Sequence, residues 1–103
     1  MNEMMLVVLA YLLGSIPTSI WVSKAVFGID IRQYGSGNPG ATNTFRVLGS
    51  KWGVFVMTAD ITKGMIATSL YILIPFYLEN ELARTNFMIV LGLAAVLGHI
   101  FPI

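Results

Sequence analysis

Gly35-Ser36-Gly37-Asn38-Pro39-Gly40-Ala41-Thr42-Asn43-Thr44-Phe45-Arg46 is a polar stretch set between two oily ones. Glycine loses much conformational freedom when ordered, and Pro39 has no N–H to donate. Neither helix nor strand forms readily through Gly35–Gly40, so the stretch reads as a loop between apolar segments. A glycine-rich loop can turn successive backbone N–H groups inward and bind an anion. Arg46 adds a planar, permanently charged fork suited to phosphate or carboxylate. The expectation is a phosphate-binding loop held at a membrane surface.

The composition supports the oily half of that reading. Of the 103 residues, 56% are hydrophobic and 11% charged, against about 25% charged in ordinary soluble domains. The apolar excess therefore calls for lipid. The length allows one domain, residues 1–103. A net charge of +1, with no basic run, argues against a nucleic-acid partner. The chain has no cysteine, so a disulfide framework and cysteine metal sites are excluded, while the redox compartment stays open. No internal repeat or low-complexity tract is present.

Three spans are predicted, at about 4–27, 52–76 and 87–103, giving an all-α integral membrane protein. The first contains Pro17, which predicts a kink. A signal peptide is disfavoured by Glu3 and by the lack of a basic start. Ser15, Ser19 and Ser23 recur every four residues, as one face that either packs on another helix or lines a polar cavity. Lys24, Arg32, Arg46 and Lys51 face only Asp30 in or beside the loop at 28–51. That imbalance predicts a cytoplasmic loop and an outside N-terminus in a multi-pass protein of the cell membrane.

Trp52 is expected to anchor the second span at the interface. Asp60 and Lys63 fall roughly 12–16 Å further along a helix rising 1.5 Å per residue. Two readings stand: a self-neutralising pair that reaches toward the surface, or Lys63 beside a bound anion with Asp60 orienting it. Residues 77–86, with Glu79, Glu81 and Arg84, read as a short outer loop. Gly92, Ala95 and Gly98 recur at spacing three and predict a tight helix contact. His99 is either a helix-dipole partner at the end of the third span or a further substrate contact. No cationic or aromatic anchor follows Pro102, so the chain is expected to be the front of a longer protein, the first half of a larger helical bundle.

The chemistry open to the loop is narrow. No cluster of histidines, cysteines or carboxylates suits a metal. Ser36 could serve as a nucleophile only with a base in reach. A phosphate cradle needs glycines, small hydroxyls and a cation, and Ser36, Gly37, Gly40, Thr42, Thr44 and Arg46 supply them. The stretch fits neither nucleotide-loop pattern, GxxxxGK[ST] nor GxGxxG. A plain re-entrant turn is the alternative.

These residues resemble the bacterial acyl-phosphate:glycerol-3-phosphate acyltransferases (PlsY). The resemblance runs through nearly the whole chain: GSIPTS at Gly14–Ser19, GSGNPGATNTFR at Gly35–Arg46, DITKG at Asp60–Gly64 and GHIFP at Gly98–Pro102. The second of these is the family's first signature motif. The resemblance implies a membrane enzyme that passes a fatty acyl group from acyl phosphate to the 1-hydroxyl of glycerol 3-phosphate, giving lysophosphatidate and phosphate in phospholipid synthesis. It implies no metal or organic cofactor, an active site facing the cytoplasm, and a partner enzyme that supplies acyl phosphate.

The family's essential serine and arginine fall on Ser36 and Arg46. Gly35, Gly37, Asn38, Gly40, Thr42 and Asn43 are the substrate-binding candidates around them, with Lys63 and His99 as further ones. An acyl phosphate carries a good leaving group, so direct attack by the glycerol hydroxyl is favoured, with Ser36 positioning and Arg46 clamping phosphate. Ser36 as a transient nucleophile is the second mechanism. The family's second and third motifs, a KGGKG-like loop and His-x-x-Asn, lie beyond Ile103, so these 103 residues alone are expected to show no acyl transfer. A non-catalytic membrane module or degenerate copy, acting by helix–helix interaction, is the competing reading.

Overall fold

The computed structural model describes residues 2–102, and among them there is no strand. The first helix, α1, spans Glu3–Gly14. Asn2 starts it, its Oδ1 accepting the Met5 N–H at 2.9 Å, which satisfies one of the helix's orphan donors. Glu3 complements the positive end of the dipole.

Pro17 does more than kink the first apolar segment. It removes an N–H and disfavours helical geometry at Ile16. The helix stops at Gly14, residues 15–17 are non-helical, and α2 begins afresh at Thr18 and runs to Phe27. The serine stripe expected on one continuous face is therefore interrupted. Ser15 closes α1, its Oγ donating to the Tyr11 carbonyl at 2.8 Å, while Ser19 and Ser23 belong to α2. After α2 come a 3-10 turn at Ile31–Gln33, α3 at Ala41–Leu48 and α4 at Ser50–Thr68. A second 3-10 stretch, Ser69–Leu73, leads to the short α5 at Phe76–Glu79 and then α6 at Glu81–Ile100. Residues 77–86, read from sequence as a loop, are thus mostly helical, with Asn80 alone between α5 and α6.

The chain forms two compact units. One comprises the residues up to Ile16 and those from Thr62 onward. Its core joins Leu6 and Ala10 of α1, Ala67 of α4, and Phe87, Leu91, Ala94 and Ala95 of α6. Here α1 and α6 pack backbone against backbone. A Cβ on Gly14 would lie 1.9 Å from the Ala95 carbonyl oxygen, and one on Gly98 would lie 2.1 Å from that of Tyr11. Only glycine permits that approach. Ala95 and Gly98 are on the close face as the spacing predicted, whereas Gly92 looks toward Thr68 of α4. Tyr77 stacks on Phe87 with ring centroids 4.6 Å apart, and the Tyr11 hydroxyl donates to the Phe101 carbonyl.

The other unit, Pro17–Ile61, holds α2, the loop, α3 and the first part of α4. The end of α2 is closed by Gly28 N–H to Lys24 O and Ile29 N–H to Ser23 O, both 3.2 Å, with Gly28 in the left-handed region as an αL cap. Trp52 meets Phe27 and Phe55 edge-on, at 6.1 and 5.7 Å, and Lys51 lies over its ring.

Two stretches among the described residues are long and apolar enough to cross a membrane, Glu3–Phe27 and Glu81–Ile100. Only 28% of each most apolar window is buried, unlike the core helix of a soluble protein. Outward-facing residues such as Met4, Val8, Leu12, Ile89, Leu93 and Ile100 account for the difference. The expected second span, 52–76, is not among them. Its helix, α4, carries Lys51, Asp60 and Lys63 and ends at Thr68.

Candidate functional site

The loop from Ile29 to Gly40 is held down by buried hydroxyls of α2. Ser23 Oγ donates to the Ile20 carbonyl at 3.0 Å and accepts the Ile31 N–H at 3.2 Å. Ser19 Oγ donates to the Pro39 carbonyl. Both serines are buried. Their four-residue spacing was visible in the sequence, but beyond their own helix their partners are the Pro39 carbonyl and the Ile31 amide of the loop.

Asn43, in the first turn of α3, organises the middle of the loop. It is 2% exposed. Its Oδ1 accepts the Ser36 N–H at 3.1 Å, and its Nδ2 donates to the carbonyls of Tyr34 at 3.1 Å and Ile31 at 3.5 Å. An amide side chain is suited to this, offering acceptor and donors at once. Gly35 makes the close approach possible. Its φ of +58° suits glycine, and a Cβ there would fall 2.2 Å from Asn43 Oδ1.

The glycines do not present a row of inward N–H groups at Ser36–Asn38, as their composition had suggested. Those amides are taken up within the protein: Ser36 by Asn43, Gly37 by the Tyr34 carbonyl at 3.0 Å, and Asn38 by Ser36 Oγ at 3.3 Å. Amides without a side-chain cap lie one step on, at the start of α3. Gly40 precedes that helix with no side-chain cap, so its first amides carry the positive end of the helix dipole. Thr44 is buried, and its Oγ1 donates to the Gly40 carbonyl at 2.9 Å, which steadies this turn.

Ser36, Asn38, Thr42 and Arg46 are exposed. Thr42 and Arg46 are four residues apart and share a face of α3. Ser36 Oγ accepts from Asn38, which leaves its proton to donate elsewhere.

The two arginines of this unit differ in commitment. Arg32 grips Asp30 through Nη2 at 2.6 Å and Nε at 3.0 Å. The Arg32 side chain, and then its backbone N–H, hold the Asp30 carboxyl down to about 2. The same pairing pushes the Arg32 guanidinium up. Arg46 makes no ion pair or hydrogen bond among the described residues, so its fork is available to a ligand.

Lys63 and His99 come together within the other unit. Lys63 is 9% exposed. Its Nζ donates to the carbonyls of Gly14 at 3.1 Å and Ile16 at 2.8 Å, and lies 3.2 Å from His99 Nδ1. Sequence spacing paired Lys63 with Asp60 and gave no sign of carbonyls 47 and 49 residues away.

Among the described residues the fold is all-helical, with two long apolar helical stretches and an ordered polar loop leading into α3, which carries Arg46 without an ion pair. Residues 4–103 match the sequence model of the family described as glycerol-3-phosphate acyltransferase. Relatives carrying that name include one from Enterococcus faecalis, 52% identical over 103 residues, covering 100% of this chain and 44% of the relative. One from Streptococcus agalactiae is 46% identical over 103 residues, covering 100% and 45%. One from Bacillus cytotoxicus is 52% identical over 99 residues, covering 96% and 46%. The chain belongs to the glycerol-3-phosphate acyltransferase family. It spans a little under half the length of these curated relatives. No solved structure matches it. Family and apolar helices together are consistent with a membrane protein.

Proposed function

We propose that this chain supplies the anion-binding part of an enzyme that transfers a fatty acyl group from acyl phosphate to the 1-hydroxyl of glycerol 3-phosphate. Lysophosphatidate and inorganic phosphate are the products. Two observations support the proposal: the α3 N-terminus has no side-chain cap, and Arg46, on the same helix face as Thr42, is exposed and without an ion pair among the described residues. Both substrates are phosphate esters or anhydrides, and helix amides plus a guanidinium fork suit phosphate oxygens. The family name of the relatives supplies glycerol 3-phosphate as the acceptor.

In this reading the donor's phosphate rests on the α3 N-terminus and Arg46. Ser36 Oγ, oriented by the Asn38 N–H, donates its proton to a substrate oxygen and positions the reacting carbonyl. The glycerol hydroxyl attacks that carbonyl carbon, the bond to the bridging phosphate oxygen breaks, and phosphate leaves with the electron pair. The hydroxyl proton is lost to phosphate or solvent. Arg46 stabilises charge that grows on the departing phosphate. Asn43, Gly35 and Gly37 act on the loop's shape, and Thr42 and Gly40 border the anion.

In this reading the protein is a multi-pass protein of the cell membrane, which the apolar outward residues of α1 and α6 support. The basic excess of 28–51 puts the loop on the cytoplasmic side, with the N-terminus outside. A separate enzyme making acyl phosphate would feed the site. The test is acyl transfer by membranes carrying the product of the complete reading frame. Labelled glycerol 3-phosphate should be converted to lysophosphatidate with acyl phosphate as donor. No conversion at high expression would favour a non-catalytic membrane module.

A further inference from the structure

Pro17 leaves a specific debt of hydrogen bonds. In a continuous helix the Gly14 carbonyl would accept from the amide of residue 18 and the Ile16 carbonyl from that of residue 20. The chain instead leaves the helix after Gly14 and restarts at Thr18, where Pro17 O accepts the Trp21 N–H at 3.0 Å. Backbone carbonyls in an apolar setting need a replacement donor. The buried Nζ of Lys63 stands within hydrogen-bond distance of both.

We infer that Lys63 is a positioning residue that caps the interrupted first helix, with His99 as a further acceptor of its ammonium. An ammonium has three protons and no acceptor capacity. Gly14 O, Ile16 O and His99 Nδ1 are three acceptors at 3.1, 2.8 and 3.2 Å. The negative end of the α1 dipole adds to the attraction. Because the ammonium can only donate, His99 is held as the tautomer with bare Nδ1 and the proton on Nε2. Lys63 thus acts through the backbone at Gly14–Ile16. This assignment does not depend on the acyl-transfer reading, and its test uses no substrate.

The test is a double-mutant cycle on the full chain in detergent or lipid discs. Lys63→Met should lower the thermal midpoint clearly. Pro17→Ala restores an amide and permits a continuous helix, in which the residue 18 and 20 amides reach the two carbonyls themselves. Lys63→Met should therefore cost much less in the Pro17→Ala background. Simple additivity of the two changes would overturn the inference. Should Lys63→Met fail to fold, the unmutated protein still decides. Nitrogen chemical shifts of His99 should show Nε2 protonated and Nδ1 bare, and a protonated Nδ1 facing Lys63 would equally overturn it.

Discussion

The side chain of Asn43 accepts the backbone N–H of Ser36 at 3.1 Å while being 2% exposed. A buried amide in the first turn of α3 therefore sets the conformation of the residue nominated for catalysis seven positions earlier. Ser36 owes its place to Asn43 rather than to regular secondary structure.

Replacing Asn43 by Leu should remove the bonds to Ser36, Tyr34 and Ile31 and leave the Ser36 N–H without its acceptor, while the Tyr34 and Ile31 carbonyls keep the Gly37 and Tyr34 amides. The expected loss is about 1–3 kcal/mol for each group left unsatisfied. Amide hydrogen exchange should accelerate first at residues 34–37. Unchanged protection there would show that the loop is held by other means.

The glycines should divide by environment. Gly35→Ala meets both a positive φ and Asn43 Oδ1, and Gly98→Ala drives a methyl into the Tyr11 carbonyl of α1. Each should destabilise by about 1–3 kcal/mol. Gly64→Ala, within α4 and with open space around its Cβ, should stabilise by roughly 0.5–1 kcal/mol. Chemical or thermal unfolding of the three variants checks the ranking.

Much of this was legible in sequence, and the rest was not for identifiable reasons. The apolar runs of α1 and α6 announce membrane-grade helices because hydropathy is additive along a chain. Gly35–Gly40 announces a loop because glycine and proline act locally. Pro17 announced a disturbance, but whether a helix bends or stops depends on a donor such as Lys63, which is remote in sequence. Asn43 looked like a substrate ligand because a polar residue in a polar motif carries no sign of burial. Ser19 and Ser23 showed a face without showing what the face touches. For α4 the second span was expected, but Asp60 and Lys63 lower its hydropathy, and α4 gives way to a 3-10 stretch at Ser69.

Asp30 should titrate near 2 rather than at its ordinary 3.8, because Arg32 hydrogen-bonds its carboxylate. The folded value is depressed, so the pair's contribution to stability is complete above about pH 4. It fades as the pH falls toward 2. Asp30→Asn should therefore lose stability at neutral pH and converge with the unmutated protein near pH 2. A carboxyl titration by NMR with its midpoint near 4 would contradict the pairing.

Ser36 should carry no covalent acyl group. Mixing the complete protein with acyl phosphate alone, followed by acid quench and mass spectrometry, should return unmodified Ser36, as direct attack by the glycerol hydroxyl requires. A trapped acyl-Ser36 adduct would replace positioning with nucleophilic catalysis.

The role of Arg46 is tested most directly by acyl transfer from acyl phosphate to glycerol 3-phosphate, comparing the complete protein with its Arg46→Ala variant at equal amounts in the membrane. Arg46 is exposed and without an internal ion pair, so the variant should insert and keep its helical content. Its rate should fall by about 10²–10³, the usual loss when one donor to developing charge is removed. A variant that folds normally and transfers acyl groups at near-normal rates would contradict the placement of Arg46 on the donor's phosphate.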